Sequence, residues 1–458
     1  MRINYRSEKG QAIVLIAFAI VGMFALVALA LDGGQAFSDR RQAQNAADTA
    51  AMAAALTYQL ENGSTAHIRA RVLDSTTSNG YPDSLPRSSV AIDPNGTAVV
   101  GECPDITNGK DFRVTIQSNI NTWFAGILGI RQMHNTVSAV ARGCEFHWKG
   151  LFEGNAVVSL APVGTSGFNA GGTGTWNVAC DDGTPSGGIF ANGDAYGGGT
   201  SNTTAPSLTV VGTGGDMFVG QPIGEILKGT PLAFPGDIIS KMPRIPKCDG
   251  TAYLDPGDGA YHPEAGKDGS VIPVALNGGQ NYAAGLYCVT KDNANWNSGT
   301  LYGRDVTFYI DNATYDLKFA GSGTNGEGFD ITAPMVSSNE YRGYAIILPL
   351  TCKGATAHAK DIVCDLEKLK AGLQTIAVCD GSSDTPRMDM RGNGDTGIFG
   401  TVLAPTACIS MLGNSLTENH GQIIGYTVDA SGSAEVNVCY KADEHPQEPV
   451  PPSVQLLK

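Results

Sequence analysis

The chain has 458 residues and a formal net charge of −14, which excludes nucleic acid as an expected partner because phosphate backbones would be repelled. Its 59 glycines and a charged fraction of only 16% are typical of turn-rich β structure, and 42% hydrophobic residues are enough to build a core, which excludes a disordered chain. The length predicts two or three domains, or one domain followed by an elongated one.

An apolar segment near the N-terminus has the length of a membrane-spanning helix. Residues 11–31 carry no charge, and about twenty helical residues cross the hydrocarbon core at about 1.5 Å each. Arg2, Arg6 and Lys9 precede the segment, and Asp32 follows it. By the positive-inside rule, the N-terminus is expected in the cytoplasm and the remainder in the periplasm or outside the cell. The prediction is a single-pass protein of the cell (inner, cytoplasmic) membrane, in contact with the lipid bilayer.

A cleaved signal peptide is the competing interpretation, because Ala28 and Ala30 give a small-x-small pattern. The segment after the apolar run favours a retained anchor instead. Residues 35–60 contain neither Pro nor Gly and are rich in good helix formers, so the membrane helix is expected to continue outward as one long rod, in which Gly33-Gly34 is the only candidate hinge. A stripe of alanines on this helix packs either on the domain's own sheet or on a neighbouring subunit.

The first fifty residues carry a recognisable pattern of polar residues around the apolar helix. Gly-Gln-Ala opens the helix, an aspartate closes its apolar part, and Gln-Asn-Ala-Ala-Asp follows an arginine. This segment resembles the N-terminus of TadG-like proteins of the Flp (tight adherence, Tad) pilus assembly family. The residues that carry the resemblance are Gly10, Gln11, Asp32, Arg41, Gln44, Asn45 and Asp48.

A second segment, residues 112–142, is similar to the strand, aromatic turn and final strand that close the small domain of these proteins, so the resemblance covers roughly residues 8–143. It implies a pilin-like α+β arrangement, a long helix whose outer half packs on a small antiparallel sheet. It also implies pilus-assembly or envelope proteins as partners. Pilins cut by prepilin peptidase have Glu five residues after the cut-site glycine, and Leu15 stands there in this chain. We therefore expect a retained anchor rather than a processed fibre subunit.

The long region that follows is expected to be mainly β. Apolar runs of four to seven residues, such as DVTFYI and YAIILPL, alternate with Gly, Asn, Asp and Ser turns. Residues 400–415 and 421–438 form a weak repeat offset by about twenty residues, a spacing typical of β-solenoid coils. The prediction is a parallel β-helix (solenoid), with a β-sandwich as the alternative. A helical period is present only at 361–374.

Ten cysteines all follow the apolar segment, and no CxxC pair occurs, which argues against a zinc ribbon or a thioredoxin motif. Disulfides in an oxidising compartment are the simplest interpretation, and buried reduced thiols are the alternative. The spacing does not fix the pairing. The candidate disulfide cysteines are Cys103, Cys144, Cys248, Cys288, Cys352 and Cys364.

Three short motifs match ligand-binding patterns without the context that those patterns need. Residues 429–433 have the DxSxS form of a Mg²⁺ site, but too few residues follow to supply the other ligands. Residues 321–326 read GxGxxG, but a strand-like segment follows instead of a helix. Acidic residues at 255–268 lack EF-hand spacing. We therefore expect no catalytic, metal or cofactor-binding residues, with structural Ca²⁺ in the acidic segment as the alternative.

These observations divide the chain into five segments. They are a cytoplasmic N-terminus at 1–10, a transmembrane helix at 11–31, a Tad-like pilin-like α+β domain at 32–143, a β-rich outer domain at 144–440 and a Pro-rich, extended or disordered tail at 441–458. The expected function is structural and not enzymatic: a membrane-anchored envelope protein of a Tad/Flp-type pilus assembly, secretion or adhesion system.

Two other functions stay open from the sequence alone. One is a β-helix surface protein that degrades or binds polysaccharide, which would need acidic and basic side chains aligned on one solenoid face. Asp305, Asp330 and Arg391 are the residues to check for such an alignment. The other is a passive structural component of the cell surface.

Overall fold

The fold is described from a computed structural model of the chain. It describes residues 11–60, 64–93, 99–103, 106–180, 186–243, 253–254, 261–262, 280–282, 284–289, 295–296, 301–310, 316–321, 328–334, 343–355, 360–380, 385–392, 395–413, 416–442 and 444–457. The chain divides into two compact units. The first unit comprises residues 1–148 and 449–458, and the second unit comprises residues 149–448.

The first unit combines two helices with an antiparallel sheet. Helix α1 spans Gln11–Leu60 and helix α2 spans Thr65–Ser78. The strands are Ser88–Asp93, Val99–Cys103, Ile106–Asn121, Gln132–Cys144 and Ser453–Leu457, and a short 3₁₀ helix spans Ala125–Leu128. Neighbouring strands pair antiparallel. The long helix with a small antiparallel sheet that we expected here is therefore confirmed.

Helix α1 passes through two different environments. Large apolar side chains between Ile13 and Leu31 are exposed by 43–72%. An 18-residue window of this part reaches a mean hydropathy of 3.0 with none of it buried. The helix is continuous through Gly33 and Gly34, so the expected continuation of the apolar helix as one long rod is confirmed. A helical glycine costs only about 1 kcal/mol relative to alanine, and strong helix formers flank this pair. The apolar part fits a single-pass membrane anchor.

The C-terminal residues add a strand to the sheet of the first unit. Ser453–Leu457 pairs antiparallel with the end of Gln132–Cys144. The prediction of a disordered or merely extended tail is therefore wrong for these residues. Pro451 and Pro452 lack an N–H and separate the new strand from the one before it. Val454 then packs against the apolar cluster of the first unit, which gives the strand its stabilising contact.

The second unit is mainly β, and most of its strands stack in three ladders of parallel pairs. Ladder A contains Gly285–Val289, Val306–Ile310, Tyr344–Ile347, residues 401–404, residues 423–425, Val157–Ser159, Ile189–Ala191, residues 205–210 and Ile223–Lys228. Ladder B contains Asn295–Trp296, Asp316–Gly321, Arg387–Gly392, residues 408–413, residues 427–432, Ser166–Ala170 and Asp194–Gly197. Ladder C contains Gln280–Tyr282, Leu301–Gly303, Gly328–Thr332, Asp395–Phe399, Leu416–His420, Glu435–Val438, Thr175–Asn177 and residues 202–204. The expected mainly-β region is confirmed, and its sheets are parallel.

A few short elements lie outside the ladders. Two antiparallel pairs join Tyr253–Leu254 to Tyr261–His262 and Thr351–Cys352 to Ile362–Val363. The chain passes between the two units in the strands His147–Gly150 and Gln447–Val450. The short helices are Leu151–Gly154 and Gly215–Phe218, both 3₁₀, and Gly236–Ile239 and Leu366–Lys370.

The helix that the sequence suggested at 361–374 has only five residues, Leu366–Lys370. Asp365 begins it by accepting hydrogen bonds from the N–H groups of Glu367 and Lys368. Gly372, at φ +70°, follows its end in a left-handed conformation that favours glycine. The rest of the predicted segment is a strand and turns, so the predicted length is wrong.

Apolar side chains of all three ladders share one core. Phe308 of ladder A, Met390 of ladder B and Ile398 of ladder C all belong to it and are buried. Ladder A is apolar on its second face too, where Tyr309 and Ile347 join a separate cluster. A parallel strand that is buried on both faces needs a continuous apolar run. This explains why DVTFYI and YAIILPL show no alternation of polar and apolar residues.

The ladders do not follow chain order. In each of them the stack runs from the strands near residue 280 to those near residue 430, and it then continues with strands from the start of the unit. At this seam Ile423 pairs with Val157, and Val436 pairs with Trp176. A disulfide, Cys180–Cys439, joins residues 259 positions apart at the same seam. The first and last strands of the second unit are therefore neighbours in the middle of the stack.

Removing the seam disulfide by Cys180→Ser with Cys439→Ser is expected to destabilise the second unit by up to about 5 kcal/mol, because loop-closure entropy grows with loop length. The matched control removes Cys352–Cys364, whose residues are 12 apart, and is expected to cost about 3 kcal/mol. Guanidinium unfolding followed by fluorescence, with buried Trp176 as a reporter, measures both. An equal loss of unfolding free energy in the two variants would contradict the larger contribution expected of the seam disulfide.

Candidate functional site

The end of the apolar part of α1 is tied to a loop of the sheet by one carboxylate. Asp32 accepts hydrogen bonds from the backbone N–H groups of Trp123, Phe124 and Ala125, at 2.9, 3.1 and 2.7 Å. These donors stand at the start of the 3₁₀ helix Ala125–Leu128, where N–H groups have no acceptor within the helix. A single side chain thus satisfies three donors and holds the loop against α1.

These contacts favour the charged form of Asp32. The hydrogen bond from Ala125, followed by that from Trp123, lowers the pKa of the carboxyl group below its ordinary value, while partial burial acts in the opposite direction. Because the pKa is lowered in the folded protein, the stabilisation is complete at neutral pH. It is lost only as the pH falls through the lowered pKa.

A second acid on the same helix was missed by the sequence analysis. Asp39 lies two helical turns further along α1 and is 8% exposed. Its carboxylate accepts hydrogen bonds from Tyr81 Oη at 3.2 Å, Asn135 Nδ2 at 3.1 Å and Ser118 Oγ. Arg87 forms an ion pair with it at 3.5 Å. The sequence does carry a signal for Asp39. It lies seven residues after Asp32, on a helix face that is otherwise made of apolar or small residues.

Two further residues of the family motif contact each other, and one of them, Gln44, also contacts the sheet. Gln44 Nε2 donates to Asp48 Oδ1 at 2.7 Å and to the carbonyl oxygen of Ser138 at 3.3 Å. The amide therefore bridges the helix and strand Gln132–Cys144. The fixed spacing of Gln44 and Asp48, four residues apart, places both on one side of the helix.

The other motif residues lie away from these contacts. Arg41 and Asn45 have exposed side chains on α1. Gln11 is the first residue of the helix, and Gly10 lies outside the described residues. Within the motif, Asp32 thus binds the loop at 123–125, Gln44 binds the sheet and Asp48, and the arginine and asparagine lie on the surface.

The alanines of α1 form the main contact between the helix and the sheet. Seven of them are completely buried in one cluster with Ile68 and Val72 of α2 and with apolar residues of three strands, such as Val114. Side chains this small let the helix backbone approach the sheet closely. Of the two packing partners that the sequence left open, the domain's own sheet is the one observed. The seven residues are Ala43, Ala46, Ala47, Ala50, Ala51, Ala54 and Ala55.

Disulfides tie both units. Among the candidate cysteines, Cys103 bonds to Cys144 in the first unit and Cys352 bonds to Cys364 in the second. The prediction of disulfides is therefore confirmed for these four. The second unit also contains Cys180–Cys439 and Cys379–Cys408. The predictions for Cys248 and for the side chain of Cys288 fall outside the described residues.

The short motifs that match ligand-binding patterns do not form a binding site within the described residues. Asp429 begins the DxSxS motif on a strand of ladder B, and its register neighbours are Asn169 and Ser410. Burial raises the pKa of its carboxyl group above the ordinary value. The acidic segment 255–268 and most of GxGxxG lie outside the described residues. Across the described ranges, no three His, Cys, Asp or Glu side chains come together as a metal site would require.

The three residues proposed for a polysaccharide site are not brought together on one ladder. Asp330 belongs to ladder C and forms an ion pair with Arg304 at 3.2 Å. Asp305 follows that arginine with φ +57°, outside the ladder strands. Arg391 lies on ladder B, and its side chain is outside the described residues.

Together, a long helix whose apolar part fits a single-pass membrane anchor and a small antiparallel sheet define a pilin-like α+β unit. Residues 10–57 match the family model Tad, described as Flp pilus-assembly TadE/G-like. The resemblance stated from the sequence is confirmed over this N-terminal segment.

No curated protein matches the chain. A crystal structure of the competence-associated pilin ComZ from Thermus thermophilus is similar at 11% identity, over 82% of this chain and 89% of that chain, with a TM-score of 0.25. A likeness at that score carries no argument about fold or function.

Replacing Asp32 with Ala is expected to free the loop, because the N–H groups at 123–125 lose their acceptor. Hydrogen exchange of these three amides in detergent-solubilised chain should then be faster by at least about tenfold, the effect of losing roughly 1.4 kcal/mol of protection. Asp74→Ala, at an exposed position of α2, is the matched control and should leave them unchanged. Unchanged exchange in the Asp32 variant would contradict the role assigned to its carboxylate.

Asp429→Asn is expected to raise the thermal midpoint of the second unit at pH 7 by about 2 °C or less, since it removes a partly desolvated charge. Because the pKa of Asp429 is raised, the native protein should lose stability as the pH rises from 4 to 7, and the variant should lose less. Calorimetry at the two pH values measures this, with exposed Asp216→Asn as the control. A lower midpoint at pH 7 would show that the carboxylate is stabilising.

Proposed function

We propose that the chain is a membrane-anchored envelope protein of a Tad/Flp-type pilus assembly, secretion or adhesion system, with a structural role. The observation that carries the proposal is the coincidence of the TadE/G-like match at residues 10–57 with one continuous helix, Gln11–Leu60. The first part of that helix has no protein partner within the described residues, and its second part is completely buried at seven alanines. This division suits a helix that leaves a bilayer and enters a folded domain.

The lipid bilayer is the proposed partner of the apolar part. Thirteen large apolar side chains between residues 13 and 31 are exposed, and burying each would gain about 1.5–3 kcal/mol. At about 1.5 Å per residue, this stretch is about 30 Å long, which is the thickness of the hydrocarbon core. The bilayer therefore accounts for both the exposure and the length of this apolar stretch.

The proposed orientation places the N-terminus in the cytoplasm, at the inner membrane. Arg2, Arg6 and Lys9 precede the helix, and Asp32 follows it. Four disulfides in the described part of the chain support an oxidising compartment for everything after the helix. The units beyond Asp32 would therefore face the periplasm or the exterior.

We also propose that ladders A, B and C are the three faces of a β-solenoid. Parallel pairing with one shared core supports this arrangement, since sandwiches are built mainly from antiparallel sheets. The repeat seen at 400–415 and 421–438 supports it too, because Val402 pairs with Ile423 and Ile409 with Val428. Such a unit would present its outer faces to pilus or envelope partners.

Gene deletion and complementation in the native host tests the proposed function. The deletion is expected to reduce surface pili counted by electron microscopy, and the full chain should restore them. A variant with residues 11–31 replaced by a cleavable signal peptide should be exported without restoring pili. The matched control replaces the same residues with an unrelated membrane helix of equal length, which separates anchoring from family-specific contacts.

Location and processing are measured in the same strains. Protease added to spheroplasts should digest the chain beyond Asp32 and spare an N-terminal tag. A mature N-terminus at Gln11 would contradict the retained anchor, and soluble cytosolic protein with reactive thiols would contradict the whole proposal. Unchanged pili with cleavage of acidic polysaccharides by the purified chain would favour the polysaccharide-degrading alternative. Unchanged pili with bulk abundance in the envelope would favour the passive surface component.

A further inference from the structure

The loop that Asp32 holds is itself strongly apolar and exposed. Between the third and fourth strands of the first unit the sequence reads Thr-Trp-Phe-Ala-Gly-Ile-Leu-Gly-Ile. The side chains of Trp123 and Ile127 are 77% and 82% exposed, and Phe124 and Ile130 are also exposed. A soluble domain rarely displays four such side chains within eight residues, so this patch needs a partner.

Its position relative to the anchor indicates what that partner is. Asp32 directly follows Leu31, the last residue of the exposed apolar stretch, and it binds the N–H groups of residues 123–125. The loop is therefore held within hydrogen-bonding distance of the point at which the helix would leave the bilayer. The loop therefore lies beside the end of the stretch proposed to face lipid, which makes lipid the nearest apolar partner.

We infer that Trp123, Phe124, Ile127 and Ile130 enter the membrane interface and form a second contact between the first unit and the bilayer. This inference rests on the proposed anchor function. Tryptophan prefers the level of the lipid headgroups, because its apolar ring can contact the acyl chains there while its N–H group stays hydrated. Two contacts with the bilayer, one spanning and one peripheral, would fix the tilt of the unit.

The backbone of the loop meets the requirement for entry into this region. Polar backbone groups that leave water need internal partners. Within the loop, Ile127 N–H donates to Phe124 O at 3.0 Å, and Ile130 N–H donates to Ala125 O at 3.1 Å. Gly129 N–H donates to the carbonyl of Gly126 at 3.1 Å, in a left-handed turn with φ +89°. Together with the three bonds to Asp32, these contacts leave few loop amides that depend on water.

The surroundings of the loop suit phospholipid headgroups. A polar recess of about 650 Å³ lies beside Trp123 and is lined by Arg87, Asn119 and Gln132, among others. Arg131, which directly follows the apolar residues, is exposed. Basic and amide side chains at the rim of an apolar patch match the phosphate and ester groups that lie above the hydrocarbon core.

The test uses the full chain reconstituted in liposomes that contain phospholipids brominated near the headgroup end of the acyl chains. Bromine quenches only tryptophans that reach the bilayer. The chain has four tryptophans, and none lies within residues 11–31. About a quarter of the emission should therefore be quenched in the native chain and almost none in Trp123→Phe. The matched control, Trp148→Phe, changes an exposed tryptophan of the same unit and should keep the quenching.

Other outcomes separate this inference from the anchor. If the native chain stays in the liposomes after carbonate washing but Trp123→Phe leaves the quenching unchanged, the inference is overturned and the anchor stands. If carbonate extracts the native chain, the anchor fails and the inference fails with it. Ile127→Ser with Ile130→Ser gives a second measurement: Trp123 should become at least about twofold more accessible to aqueous iodide. Unchanged iodide accessibility in that double variant would also count against the inference.

Discussion

The first unit depends on one constraint, which is that a single helix must be exposed and apolar in its first part and packed on a sheet in its second part. The side chains before Asp32 are large, apolar and exposed, whereas those after it are small and buried on a sheet. A helix is stiff over this distance, so the residue at the change must connect both environments. Asp32 does so by binding backbone donors of a sheet loop, and Asp39 and Gln44 continue the polar contacts toward the alanine face.

The sequence predicted this first unit well because its signals are local. An uncharged run of helical length, the flanking charges and the alanine-rich continuation all lie within sixty residues. The partner of the alanine face could not be predicted, since small side chains suit a sheet and a neighbouring helix equally. The strand Ser453–Leu457 could not be predicted either, because its pairing partner at Val140–Cys144 lies more than 300 residues earlier in the chain. The contacts of Asp39 could not be predicted from the sequence either, because its partners Tyr81, Ser118 and Asn135 are distant in the chain and meet it only in the folded unit.

The second unit shows the same division between local and distant information. Continuous apolar runs predicted the strands of ladder A, and a twenty-residue offset predicted the pairing of neighbouring strands. The seam is different, because it pairs the start of the unit with its end. No periodicity in the sequence predicts such a strand order. The spacing of the cysteines does not predict that Cys180 pairs with Cys439 either. The polar residues checked for a site, Asp330 and Arg391, lie on different ladders for a related reason, because ladder membership depends on pairing between strands that are distant in the sequence.

The connections between the units have a consequence for how the second unit can be lost. The chain leaves the first unit after Trp148 and returns to it at Pro449, so the second unit is an insertion with two connections to the first. These connections are not equivalent. A protease that cuts before Lys149 breaks the covalent link between the second unit and α1, and the severed part of the chain is then held by the pairing of Ser453–Leu457 with Gln132–Cys144. A cut after Glu448 separates only the C-terminal strand and leaves the second unit covalently joined to α1.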